Sequence, residues 1–159
     1  MLSQYPRLVL LGFLGACFAV AALGSWVTTP AVDTWYTTVR KPPWTPPNWV
    51  FGPVWSALYA AMALAAWWVW QQRGSIDVRL PLTLFAIQLL LNLAWSVLFF
   101  GLQNPGAGLI EIVVLWSAIL ATLLAFWRVS VGAGWLLVPY LLWVTFALAL
   151  NFSIWQLNS

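Results

Sequence analysis

Residues 80–102 read LPLTLFAIQLLLNLAWSVLFFGL. An α-helix rises 1.5 Å per residue, so about 20 apolar residues cross the hydrocarbon core of a bilayer. This stretch is long enough and carries no charge. Its polar residues are ordered, not scattered. Gln88 and Asn92 stand at i, i+4, and Trp95, Ser96 and Phe99 continue that stripe at i+7, i+8 and i+11. An amide facing lipid would leave its donors unpaired, so the stripe must face other protein. The stretch reads as one helix of a membrane-spanning bundle with a polar, aromatic inner face.

The rest of the chain has the same character. Of its 159 residues, 64% are hydrophobic and 6% charged, where a soluble domain carries about 25% charge. That balance excludes an ordinary soluble domain and a disordered chain. The six cations (Arg7, Arg40, Lys41, Arg73, Arg79 and Arg128) are dispersed, so no phosphate-binding stripe forms and nucleic acid is not an expected partner. There is no His, which removes imidazole acid–base catalysis, serine-type triads and the commonest metal ligand. Cys17 is the only Cys and reads as packing. Asp33, Asp77 and Glu111 are widely separated in sequence, so paired-carboxylate chemistry, a metal site and an obligate cofactor are not expected.

Five segments qualify as spans: 8–27, 49–70, 80–102, 107–127 and 134–157. They predict an all-α protein, a single five-helix transmembrane domain over residues 1–159 in the lipid bilayer. The first has the look of a signal peptide, with Arg7 ahead of an apolar run and Ala19-Val20-Ala21 as a cleavage-like site. The run continues to Val27, so a retained helix is expected. Glu111 alone falls inside a span. Placed in the first turn of the fourth helix, it would be favoured by the helix dipole and would reach the interface, a reading preferred over a buried proton site. Five spans put the termini on opposite sides. Arg7, Arg73, Arg79 and Arg128 share the amino-terminal side, against Arg40 and Lys41 on the other. The excess predicts a cytoplasmic amino terminus, with the first loop and carboxy terminus opposite.

That first connection, 28–48, is the long one. It holds Pro30, Pro42, Pro43, Pro46 and Pro47 among Trp35, Tyr36 and Trp44. The prolines argue against regular helix, and the aromatics favour packing over dangling. A lid across one mouth of the bundle is expected.

Tryptophan accounts for 14 residues, and several suit an interfacial belt. Trp67, Trp68, Trp70, Trp127 and Trp135 fall at one predicted face, Trp26 and Trp155 near the other. Trp55, Trp95, Trp116 and Trp143 lie deeper, Trp55 about 9 Å below the start of its helix. A deep indole loses the interfacial benefit and still needs a partner for its N–H. In the fifth span Trp143, Ala147 and Asn151 make a second stripe beside Phe146, and in the second span Trp55 and Tyr59 share a face. Two readings fit: intramembrane amides as interhelical glue, or an aromatic pocket. A pocket so walled suits a flat, conjugated, hydrophobic ligand. A tetrapyrrole fits, and without His a metal-free porphyrin is a better match than haem. Its propionates would meet Arg40 or Lys41.

Lys41-Pro42-Pro43-Trp44-Thr45-Pro46-Pro47-Asn48-Trp49-Val50-Phe51, continuing to Pro53, Trp55 and Tyr59, resembles the TspO / translocator protein family, also known as tryptophan-rich sensory proteins or the peripheral benzodiazepine receptor family. So do Trp35-Tyr36, then Gln88, Asn92, Trp95-Ser96 and Phe99-Phe100-Gly101, and finally Pro139-Tyr140, Trp143 and Leu150-Asn151-Phe152. The resemblance covers nearly the whole chain and suggests a bacterial member. It implies a five-helix membrane fold whose first loop covers a pocket for protoporphyrin IX and for synthetic isoquinoline carboxamides and benzodiazepines. By resemblance, Trp55, Asn92 and Trp143 are pocket residues, and Tyr36, Tyr59, Trp95, Ser96, Phe146 and Ala147 line or approach it. Trp44 of the lid completes the expected ligand site.

The resemblance further implies roles in stress response and tetrapyrrole-linked regulation. Some bacterial members of the family are held to promote light-dependent breakdown of protoporphyrin IX through the positions of Trp55 and Trp143. Three functions are therefore in play: receptor or sensor, light-dependent degradation, and porphyrin transport. The enzyme reading lacks ordinary catalytic groups, and the transport reading lacks paired intramembrane charges. Animal members carry a cholesterol motif with a Tyr and a following basic residue. Phe152 and Gln156 stand there instead, which leaves specific cholesterol binding doubtful. Gly12-Ala16 and Gly15-Ala19 in the first span, and Ala57-Ala61-Ala65 in the second, permit close helix approach, and a homodimer is expected.

Overall fold

The computed structural model describes residues 4–159. Five long helices are apolar and long enough to cross a membrane: α1 (Pro6–Val32), α3 (Asn48–Gln71), α4 (Arg79–Ser96, extended by a π-turn over Val97–Gly101), α5 (Pro105–Val129) and α6 (Val131–Asn158). A one-turn helix, α2 (Trp35–Thr38), lies between the first two. Sequence neighbours pack together, α4 on α5 and α5 on α6, while α1 packs on α3 and α4, and α3 closes the bundle against α6.

The helix ends follow local chemistry. Pro6 and Pro105 occupy first-turn positions, where the missing N–H costs nothing. Asn104 caps α5 by accepting from the Ala107 N–H at 3.0 Å, and Ser130 caps α6 through the Ala133 N–H at 3.3 Å. Ser130 is the only residue between α5 and α6. So tight a reversal needs Gly134, where a Cβ would lie 2.6 Å from the Trp127 ring.

Two expectations about the first connection are corrected. The first helix does not stop near Val27 but continues to Val32 through Pro30. Pro30 falls in the last turn of the helix, where few backbone bonds are lost, and Thr34 donates its hydroxyl to the Pro30 carbonyl, one of the unsatisfied carbonyls of the helix end, at 2.7 Å. The connection also contains regular helix, since Trp35–Thr38 forms a turn ahead of the prolines. The lid is thus residues 33–47.

Glu111 is also corrected. Because α5 starts at Pro105, Glu111 lies in the second turn, about 9 Å along the helix. It faces inward and is 9% exposed, buried against the neighbouring helices.

Candidate functional site: a lidded aromatic cavity

The inward stripes of α4, α6 and α3 meet around hydrogen bonds. Tyr140 of α6 donates its hydroxyl to Gln88 Oε1 at 2.7 Å. The Asn92 Nδ2 donates to the Tyr140 oxygen at 2.8 Å, and Tyr59 of α3 donates to Asn92 Oδ1 at 2.8 Å. All four residues are buried. A second tie joins α4, α5 and α6: the Trp95 indole donates to Asn151 Oδ1 at 3.0 Å, while Asn151 Nδ2 donates to the Pro105 carbonyl at 2.9 Å. Helices in lipid gain no hydrophobic drive from meeting one another, so packing and polar ties such as these set their positions.

These ties border a cavity of about 570 Å³, within the range of small-molecule sites. Eight of the residues singled out from sequence line it: Tyr36, Trp55, Tyr59, Asn92, Trp95, Ser96, Trp143 and Ala147. Their rings are held edge-on, tilted or stacked, within the range of geometries that aromatic pairs adopt. Trp55 leans on Tyr59 with centroids 5.7 Å apart. Trp95 stacks on Phe99 at 5.0 Å, and Trp143 meets Phe51 at 5.9 Å.

Trp44 and Phe146 do not line the cavity. They pair with each other at 5.7 Å, and Phe146 backs Trp143 at 5.5 Å, so they support the wall from behind. Trp116 is likewise a packing residue: its indole donates to Thr145 at 2.8 Å. Cys17 is wholly buried in the core.

The lid is fastened at several points. Tyr36 is 4% exposed, and burial pushes its phenol above the ordinary value. The Lys41 ammonium sits 4.4 Å over the Tyr36 ring and donates to the carbonyls of Tyr36 and Val39. At the far end, Arg40 N–H donates to Asn158 Oδ1 at 3.0 Å and Asn158 Nδ2 returns a bond to the Arg40 carbonyl at 2.8 Å. The Lys41 side chain and the Arg40 backbone therefore brace the lid, and neither residue is among those lining the cavity. Asp33 is the one acidic residue among those lining the cavity.

Sequence reasoning missed the contribution of α1, which supplies Phe18, Ala21, Ser25, Thr28 and Val32 to the wall. Ala21, Ser25, Thr28 and Val32 recur at i, i+4, i+7 and i+11, a small-residue and hydroxyl stripe that could have marked this face.

An integral, multi-pass membrane protein with an aromatic cavity beneath a proline-braced lid is the class these features define. The TspO/MBR family model matches residues 13–156, and the chain belongs to that family. It is 50% identical over 149 residues to the tryptophan-rich protein TspO of Chlorobaculum tepidum, covering 91% of this chain and 92% of that one. It is 41% identical to the tryptophan-rich sensory protein of Cereibacter sphaeroides, over 93% and 90% of the two chains. The translocator protein of Bos taurus is 41% identical over 86% and 82%. Membership supports a membrane sensor or receptor role.

Proposed function

We propose that the cavity binds a flat, metal-free tetrapyrrole such as protoporphyrin IX, and that the protein acts as a receptor or sensor in tetrapyrrole regulation or stress response. The observation that carries this reading is the convergence of Trp55, Trp95 and Trp143 with the Asn92 amide on one cavity. Indole faces offer stacking surface, and the amide offers a directional polar contact. Lys41 is engaged by the lid's own carbonyls, so the propionates find no free ammonium there and extend toward water. Titration of tryptophan fluorescence with protoporphyrin IX in the dark tests the reading: saturable quenching is expected, and its absence would contradict it.

A second reading, light-dependent degradation of the bound porphyrin, is favoured by Trp55 and Trp143 lining the same cavity. The photosensitiser supplies its own excitation, and the indoles lie where they would react. Repeating the titration under illumination separates the two, since only degradation consumes pigment.

The proposal includes a cytoplasmic amino terminus and a homodimer formed through α1. A Cβ at Gly12 or Gly15 would meet nothing within 4 Å, leaving that face open to a second copy. Ala65 of the other small-residue stripe is fully buried within the chain.

A further inference from the structure

Glu111 is the one acidic residue within the five spans. Both of its carboxyl oxygens are buried without a hydrogen-bond partner, and so is Nε2 of Gln88 on the neighbouring α4. Gln88 is 1% exposed. Gln88 accepts from the Tyr140 hydroxyl of α6, and α5, which carries Glu111, packs against both α4 and α6.

The elements packed against α5 are α6, α4 with its π-turn, and α3. Their titratable side chains are Tyr140, Tyr59 and Arg79. Arg79 is the first residue of α4 and is paired with Asp77 at 2.8 Å in solvent. Arg128 stands at the opposite end of α5. Among the described residues, no cation on these elements therefore faces Glu111. An unpaired carboxylate in an apolar interior costs several kcal/mol, and an ionisable group at such depth marks a functional site.

We propose that Glu111 is a buried proton-binding site coupled to the cavity, a step that rests on the ligand-binding reading above. In the resting protein its carboxyl group carries a proton. Releasing that proton to bulk water leaves a carboxylate that can only accept hydrogen bonds. The buried donor left unused on the adjoining helix is Gln88 Nε2. Turning it toward Glu111 withdraws Oε1 from Tyr140, and Tyr140 is what Asn92 Nδ2 is bonded to. The change then passes along Gln88, Tyr140, Asn92 and Tyr59 to the cavity wall.

The test uses the full chain in lipid vesicles. Infrared spectra at about neutral pH are expected to show the carbonyl stretch of a protonated carboxylic acid, lost in Glu111→Gln and in Glu111→Met. A band that is missing in the wild type, or that survives both substitutions, overturns the proton site. The probe for coupling is protoporphyrin IX dimethyl ester, whose own carboxylates are blocked. Its affinity is expected to weaken about tenfold between about pH 5 and about pH 9 in the wild type and to stay level in Glu111→Gln. An equal pH response in both proteins, or none in the wild type, overturns the coupling. Failure of the ester to bind at any pH refutes the ligand-binding reading and the coupling with it, while the infrared band still decides the proton site.

Discussion

Tyr140 hands its phenolic hydrogen to Gln88 across 2.7 Å, and the same oxygen receives the Asn92 amide at 2.8 Å. One hydroxyl thus fixes two amides of α4 from α6. Tyr140→Phe removes both bonds and leaves two buried polar groups unpaired. It should lower stability by about 1–2 kcal/mol, the scale of interhelical hydrogen bonds in membranes. With Asn92 no longer oriented, porphyrin affinity should fall about tenfold. Thermal unfolding in detergent and fluorescence quenching measure the two effects.

The spans were legible because their length and apolarity obey the bilayer's dimensions. The inner face of α4 was legible because Gln88 and Asn92 have nowhere else to point. Other features depended on tertiary detail. Trp44 and Phe146 carry the same aromatic signal as Trp143, and only packing decides which ring meets the cavity and which stands behind it. Glu111 was misplaced because its depth depends on α5 beginning at Pro105. Lys41 looked available because sequence does not show a side chain folding back onto Tyr36. The α1 face escaped notice because alanines and hydroxyls in a membrane helix equally suit helix contact.

Asn158 holds the lid through its paired bonds with the Arg40 backbone. Asn158→Ala should release residues 33–47 without unfolding the bundle. Backbone amide exchange in that segment should accelerate about tenfold, as expected for bonds of about 1 kcal/mol. Hydrogen exchange read by mass spectrometry resolves this.

Gly108 lets α5 approach the Trp95–Asn151 tie. A Cβ there would stand 3.1 Å from Asn151 Oδ1 and 3.1 Å from the Phe99 ring. Gly108→Ala should destabilise by about 1–3 kcal/mol through overpacking, seen as a lower Tm. Gly74→Ala, in open space, should not.

Asp77 and Arg79 close the turn before α4. The side-chain hydrogen bond from Arg79 is the main reason that the Asp77 carboxyl is held down at about 2. A depressed carboxyl contributes above its unfolded value of about 3.9 and loses that contribution as pH falls toward about 2. The pair is exposed, so the effect is small. Asp77→Asn should cost little near neutral pH, and its Tm difference from wild type should vanish in acid.

If the pocket degrades porphyrin under light, Trp55→Phe and Trp143→Phe should slow pigment loss while leaving dark binding largely intact. Absorbance of the bound porphyrin during illumination measures the rate. Loss at the wild-type rate in both variants would end the degradation reading.

The proposed tetrapyrrole site is the cavity walled by Trp143 and Asn92. The direct measurement is a dark titration of protoporphyrin IX against wild type, Asn92→Ala and Trp143→Ala, followed by tryptophan quenching. Saturable binding is expected, weakened about tenfold or more in each variant, in keeping with the loss of a buried hydrogen bond or a stacking face. Equal affinity in all three proteins would contradict it.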